Sequence, residues 1–153
     1  MRISAIVTLL AVAATGPWAQ ADSSRPAIER LPTVTVNGKA LPFSAGVRVG
    51  DMLYLSGQIG LGADDKLPPG IEAQARNTLD RIGATLKSAG LGWKDVVRCA
   101  VFLNDMGNWP AFNAIYASYV DPAHLPARSA LGSTGLALGA LVEVQCEAYD
   151  PPH

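Results

Sequence analysis

Apolar and polar residues change their period several times along this chain, and the changes outline its elements. Thr33-Val34-Thr35-Val36 is a short β-branched run stopped by Asn37-Gly38, a dipeptide suited to a tight turn. Phe43 to Val49 and Met52 to Ile59 read as two further strands, parted by Gly50-Asp51. Gly60 to Gly70 concentrates glycine, proline and aspartate and reads as a loop. The period then lengthens. Ile71, Ala75, Leu79, Ile82 and Leu86 recur every three or four residues, with Glu72, Gln74, Arg76, Asn77, Asp80, Arg81 and Lys87 between them. That is one apolar stripe on a helix, ended by Gly90. Trp93 to Leu103 is β-branched and predicts a strand, broken by Asn104-Asp105-Met106-Gly107. Asn108 is a suitable N-cap, and Pro110 is tolerated in the first turn of a second helix. Phe112, Ile115, Tyr116 and Tyr119 mark its apolar side, and Asp121-Pro122 ends it. Arg128 to about Ser133 and Leu141 to Tyr149 are the last two predicted strands. Asp22 to about Pro32, polar and proline-containing, predicts a mobile lead-in.

The order β-β-β-α-β-α-β-β predicts a single α+β domain with both helices on one face of the sheet. The other face is then uncovered. In the central strand Val97, Cys99, Val101 and Leu103 alternate with Val96, Ala100 and Phe102, so both faces are apolar. The second face is therefore expected to pack against other copies of the chain in a closed homo-oligomer.

The N-terminus changes the picture of compartment. Met1-Arg2 supplies a positive charge, Ile3 to Ala14 is mostly apolar, Gly16 and Pro17 break it, and Ala19-Gln20-Ala21 offers a small-x-small cleavage site. This predicts a secretory signal peptide over 1–21 and a periplasmic or secreted bacterial protein. The apolar run is too short to span a bilayer, so no membrane association is expected after cleavage. With 12 basic and 13 acidic residues and only 16% of residues charged, the chain is a poor candidate for binding nucleic acid. At 49% hydrophobic it is too apolar for disorder.

Cys99 and Cys146 could form one disulfide in an oxidising compartment. Both sit inside apolar strand-like runs, however, and the favoured expectation is buried free thiols acting as small hydrophobes. No Cys-x-x-Cys or His-x-x-x-His occurs, and the histidines are only His124 and His153. No metal or other cofactor is expected. His124, among proline-flanked loop residues, reads as a solvated loop side chain rather than a base.

Two residues carry candidate chemistry. Arg128 opens an apolar strand in Pro126-Ala127-Arg128-Ser129-Ala130. It reads either as an exposed strand-end charge or as a planar fork for a small carboxylate. Glu143 sits within Leu141-Val142-Glu143-Val144. It reads either as the outward residue of an amphipathic strand or as a carboxylate that holds or activates a water.

Their surroundings sharpen the choice. Within the 109 residues from Leu41 to Tyr149, Phe43-Ser44-Ala45-Gly46, Leu55-Ser56-Gly57-Gln58-Ile59, Glu72 to Leu79, Asp95-Val96-Val97, Val101 to Met106, Phe112-Asn113-Ala114-Ile115-Tyr116, Pro126-Ala127-Arg128-Ser129 and Val142-Glu143-Val144 follow in order. This series resembles the RidA/YjgF family of enamine/imine deaminases, also labelled endoribonuclease L-PSP. The resemblance implies a chorismate-mutase-like α+β domain over 41–150, preceded by an extension over 22–40 with one short strand. It implies a six-stranded mixed sheet with two helices on one face, and a homotrimer with sites in the clefts between subunits. It implies hydrolysis of small 2-aminoacrylate-type enamines or imines to 2-keto acids and ammonia. By the same resemblance Arg128 grips the substrate carboxylate and Glu143 positions the attacking water. Asn113 lines the cleft, Ser56 and Gly57 wall it, and the backbone from Arg128 through Ser129 to Ala130 bonds the imine nitrogen or its product. The chain departs from the family at Phe43, where tyrosine is frequent, and at Ala130, where cysteine is frequent. The stretch Ala130 to Gly139 is small and lacks the family's frequent charged residues. Leu41, Phe43, Ile59 and Leu61 are candidate apolar walls for a small side chain.

The leading expectation is an exported imine deaminase. The alternative is a non-catalytic trimer of the same family that binds a small carboxylate through Arg128. A ribonuclease is disfavoured by the acidic balance and the lack of a basic stripe, and a chaperone-like or structural trimer would have no use for Arg128.

Overall fold

The computed structural model describes residues 26–150. The leader expected over 1–21 and His153 lie outside the described residues. In chain order the elements are β1 (Ile28–Arg30), β2 (Thr33–Val36), β3 (Lys39–Ser44), β4 (Gly46–Val49), β5 (Met52–Leu55), β6 (Gln58–Ile59), α1 (Ile71–Ser88), β7 (Val96–Leu103), α2 (Trp109–Tyr116), β8 (Ala127–Gly132) and β9 (Val142–Tyr149). β2 and β3 form a separate ribbon turned by Asn37-Gly38, both at positive φ. The remaining strands form one sheet ordered β1-β4-β5-β9-β7-β8, with β6 also paired to β9. β7 and β8 run parallel and the other pairs antiparallel. The fold is α+β with a mixed sheet and two helices, as the element order predicts.

The sheet has seven strands rather than the expected six. Ile28–Arg30 pairs with Val47–Val49, so the stretch expected as a mobile lead-in contributes an edge strand. The expected strand Phe43–Val49 divides at Ala45, its halves joining the ribbon and the sheet. The expected strand Met52–Ile59 is interrupted at Ser56-Gly57. There the Ser56 hydroxyl donates to the Ser44 carbonyl at 2.7 Å and its N–H to the Ala45 carbonyl at 3.0 Å, and these bonds replace the ladder.

Helix α1 follows its predicted stripe. Ile71, Ala75, Leu79, Ile82 and Leu86 are all buried, each large one contributing about 1.5–3 kcal/mol relative to exposure. Gly90, at φ 80°, reverses the chain beyond the helix. The Leu91 N–H then reaches the Leu86 carbonyl (2.9 Å) and the Gly90 N–H the Lys87 carbonyl (3.1 Å). Helix α2 starts after Asn108, but the Asn108 side chain caps nothing. The cap lies three residues earlier, where Asp105 Oδ1 accepts from Gly107 N–H at 2.8 Å, because a 3₁₀ turn over Met106–Asn108 precedes the helix. Tyr119 lies past the helix end. It packs edge-on against Trp93, with centroids 5.5 Å apart, and donates its hydroxyl to Asp80 at 2.8 Å.

The strand expected from Trp93 begins only at Val96, after a 3₁₀ turn over Trp93–Asp95. A register shift between Val96 and Arg98 then turns Val96 inward and leaves Val97 exposed, contrary to simple alternation. From Cys99 onward β7 alternates regularly, with Cys99, Val101 and Leu103 fully buried. The sheet face away from the helices exposes Tyr54, Leu131 and Tyr149, but also carries the cross-strand ion pair Arg98–Glu147 at 2.8 Å. It is mixed rather than uniformly apolar.

The cysteine expectation is corrected. Cys99 and Cys146 are direct cross-strand neighbours in β7 and β9 and form a buried disulfide. Their apolar surroundings predicted burial correctly, but not the pairing, which depends on register. The bond closes a loop with a sequence separation of 47, for which the chain-entropy model gives about 4 kcal/mol as an upper figure. Reduction, or the double substitution Cys99→Ala and Cys146→Ala, is expected to lower unfolding stability in urea by about 2–4 kcal/mol while the far-ultraviolet circular dichroism of the native state is retained.

Candidate functional site

The expected site residues fall into two groups. The first gathers on the helix side of the edge strand β8. Arg128 pairs in register with the buried Cys99, so its side chain points to the helix face. There its Nη2 donates to Asn113 Oδ1 at 2.8 Å. Its guanidinium carbon lies 4.7 Å from the centroid of Trp109 and 4.5 Å from that of Tyr116. Trp109, Asn113 and Tyr116 are spaced by four and three residues, one face of α2. Stacking on ring faces holds a guanidinium by its flat sides and leaves its in-plane N–H edge for ligands. The group borders a cavity of about 330 Å³ whose other walls include Val120, Leu125 and Pro126. The Tyr116 hydroxyl is buried and has no hydrogen-bond partner among the described residues. Burial raises its pKa, and the Arg128 charge opposes the rise.

The second group surrounds Glu143. It pairs with Phe102 on β7 and Ile59 on β6 and points away from the helix face, since Val142 and Val144 beside it are fully buried. The Glu143 carboxylate lies against Gly57, in space that any side chain there would take, so a larger residue at 57 would displace the carboxylate. Burial raises the Glu143 pKa above its ordinary 4.5. The carboxyl opens into a cavity of about 600 Å³ that Gly57 and Phe43 also line. Leu41, Ile59 and Leu61 are apolar walls of this cavity. At its edge Arg81 Nε donates to Gln58 Oε1 at 3.1 Å.

The chain does not bring these groups together. Arg128 and Glu143 are two strand spacings apart across the sheet and three residues apart along it, about 14 Å between backbones, and their side chains leave opposite faces. Ser56 is not among the residues lining this cavity, and its hydroxyl donates to the Ser44 carbonyl. Ser129 pairs with Ala100 on the outer face, while Ala130 is half-buried on the helix side beside Val101. His124 is exposed and bonded through Nδ1 to Asp121 at 2.9 Å, which lowers the Asp121 pKa. Among the described residues no three His, Cys, Asp or Glu side chains converge as a metal site would require. Trp109 was absent from the sequence-based set. Its spacing to Asn113 and Tyr116 was the available signal.

Comparison with known proteins places this geometry. The family model described as Endoribonuclease L-PSP matches residues 37–150. The chain belongs to the RidA/YjgF family. Within it, a RutC family protein from Synechocystis is 39% identical over 113 residues, covering 72% of this chain and 87% of that one. The mouse 2-iminobutanoate/2-iminopropanoate deaminase is 35% identical over 113 residues, covering 72% and 83%. Among solved RidA/YjgF structures, RidA from an Antarctic Psychrobacter superposes with a TM-score of 0.72 at 29% identity, covering 79% of this chain and 98% of that one. The YjgF gene product of E. coli gives 0.69 at 29% identity, covering 80% and 94%.

The raised Glu143 pKa has a consequence for stability. Because the folded protein favours the protonated carboxyl, ionising Glu143 costs stability as pH rises above the ordinary value of 4.5. Glu143→Gln is therefore expected to raise Tm at pH 7.5, with the gain shrinking as pH falls toward 4.5. Thermal melts of both proteins between pH 4 and 8 check this, and a gain independent of pH would contradict it.

Proposed function

We propose that this protein hydrolyses 2-imino acids to 2-keto acids and ammonia at a site completed between copies of the chain. The observation that carries the reading is the setting of Arg128. The cation is stacked on Trp109 and Tyr116, braced by Asn113, and keeps an in-plane edge for a carboxylate. Relatives named as imine deaminases support the reaction class. The opposite orientations of Arg128 and Glu143 support assembly from more than one copy, since one small molecule cannot touch both within a single chain. A homotrimer, in which the outer sheet faces pack together, is the assembly we propose.

The chemistry needs little machinery. The protonated imine carbon is already electrophilic. Arg128 of one copy fixes the carboxylate, and Glu143 of another holds a water against C2. As the water oxygen bonds to C2, its proton passes to the Glu143 carboxylate, whose raised pKa suits it to accept one. That proton returns to the carbinolamine nitrogen, and as the C2–N bond breaks the C2 hydroxyl gives up its proton to the Glu143 carboxylate and then to solvent, leaving ketone and ammonia. Positioning of this kind can lower the barrier by up to ~7–11 kcal/mol in ideal cases.

We also propose that the chain is exported and cleaved after Ala21. The buried disulfide supports an oxidising compartment. N-terminal sequencing of protein recovered from a bacterial periplasm is expected to begin at Asp22.

The reaction is tested with enzymatically generated 2-iminopropanoate. Arg128→Ala is expected to lower kcat/KM by at least about tenfold, and Arg128→Lys to recover little, because an ammonium lacks the bidentate fork. Size-exclusion profiles of the variants show whether assembly survives. Wild-type turnover no faster than spontaneous hydrolysis would overturn the reading in favour of a carboxylate-binding protein.

A further inference from the structure

The cavity beside Glu143 is much larger than a three-carbon imino acid needs. Its volume of about 600 Å³ lies within the usual range for drug-sized ligands. Leu41, Phe43, Ile59 and Leu61 line it, together with Val34 and Val36 of the β2–β3 ribbon. Its polar lining comes from Glu143, Gln58 and Arg81, with Asn37 and Lys39 of the ribbon. The ribbon is fixed to the loop after β6 by the bond from Asn37 N–H to Asp65 Oδ2 at 2.7 Å, so the wall is held in place.

The rim carries a second feature. Leu138 is 70% exposed and sits at φ 57°, a left-handed conformation that costs a leucine free energy. It follows Ala137 in a 3₁₀ turn just before β9 delivers Glu143. An apolar side chain held out at the mouth of an apolar cavity gains by covering an apolar ligand, and gains nothing from a ligand too short to reach it.

We infer that this cavity takes the side chain of the substrate, and that the protein prefers 2-imino acids with branched or aromatic apolar side chains over 2-iminopropanoate, with Leu138 as a specificity-determining rim residue. The inference rests on the deaminase reading for its chemistry and on the cavity for its selectivity. Such imines arise by oxidation of apolar amino acids at the Cα–N bond, not by loss of a β-hydroxyl. An oxidase or dehydrogenase reaction would therefore supply them.

The test compares kcat/KM for 2-imino-4-methylpentanoate and 2-iminopropanoate, with Kd values for the matching keto acids 4-methyl-2-oxopentanoate and pyruvate. The branched imine carries three more carbons to bury, and is expected to be favoured by about tenfold or more. Leu138→Asn is the informative variant, because asparagine accepts the left-handed conformation and the change removes apolar cover without adding backbone strain. It is expected to narrow the branched-to-small ratio by at least about threefold. A wild type that turns over 2-iminopropanoate as well as the branched imine overturns the selectivity and leaves the deaminase reading intact. A ratio unmoved by Leu138→Asn overturns the role of Leu138. Turnover of neither imine defeats the deaminase reading. The keto acids then decide: tighter binding of the branched acid sustains the cavity's role, and equal or absent binding overturns it.

Discussion

The antiparallel pairing of β7 with β9 is the constraint on which the rest of the molecule depends. Its register sets Cys99 against Cys146 and Phe102 against Glu143, and the parallel pairing of β8 on the far side of β7 carries the same register to Arg128. One alternation therefore decides three things. It places the two sulfurs within bonding reach in the core. It turns Arg128 toward α2, and it turns Glu143 to the other side of the sheet. A one-residue slip would exchange every inward and outward side chain in these strands. The buried disulfide sits within the pairing that would have to slip.

From that constraint the division of the candidate site follows. Arg128 is braced by side chains that only a helix on its face can supply, at helical spacings from Trp109 to Tyr116. Glu143 lies against Gly57 where β5 gives way to β6, at the wall of the adjoining cavity. A single chain thus offers a cation with a free planar edge at one place and a half-buried carboxyl at another. The proposed chemistry needs both around one small molecule, and association of copies is the economical way to supply them. The same burial that suits Glu143 to take a proton costs stability at neutral pH, an exchange common where function strains a fold.

Most of the fold was legible in the sequence because its longest signals are periodic. The α1 stripe from Ile71 to Leu86 and the strands around Cys99 and Cys146 stand close to where their patterns put them. What escaped depends on contacts distant in sequence. β1 is only three residues long and exists because β4 offers it a free edge. The bulge near Val97 is a property of the β7–β9 pair and not of either strand alone. The disulfide was missed for the same reason. Asn108 was a sound cap by composition, but the preceding 3₁₀ turn gave the capping to Asp105. For the candidate site, Arg128, Asn113, Glu143, Gly57 and Phe43 rest on the family resemblance, because local residue chemistry leaves Arg128 and Glu143 open. Trp109 escaped because a tryptophan on a helix reads as core, and only the fold shows the guanidinium lying on it. Ser56 was named as a wall of the site, and its hydroxyl instead secures the backbone of Ser44.

The central claim is that Arg128 and Glu143 act on one substrate from different copies of the chain. Subunit mixing tests it most directly. Arg128→Ala and Glu143→Gln proteins are each purified, confirmed as inactive on the imine, unfolded together under non-reducing conditions and refolded as a mixture. If the site is shared, mixed oligomers contain some clefts in which an intact Arg128 meets an intact Glu143, and the mixture recovers a measurable fraction of wild-type activity that neither variant shows alone. If mixed oligomers form, as native mass spectrometry would show, and no activity returns, the two residues do not serve a common site between copies and the account is wrong.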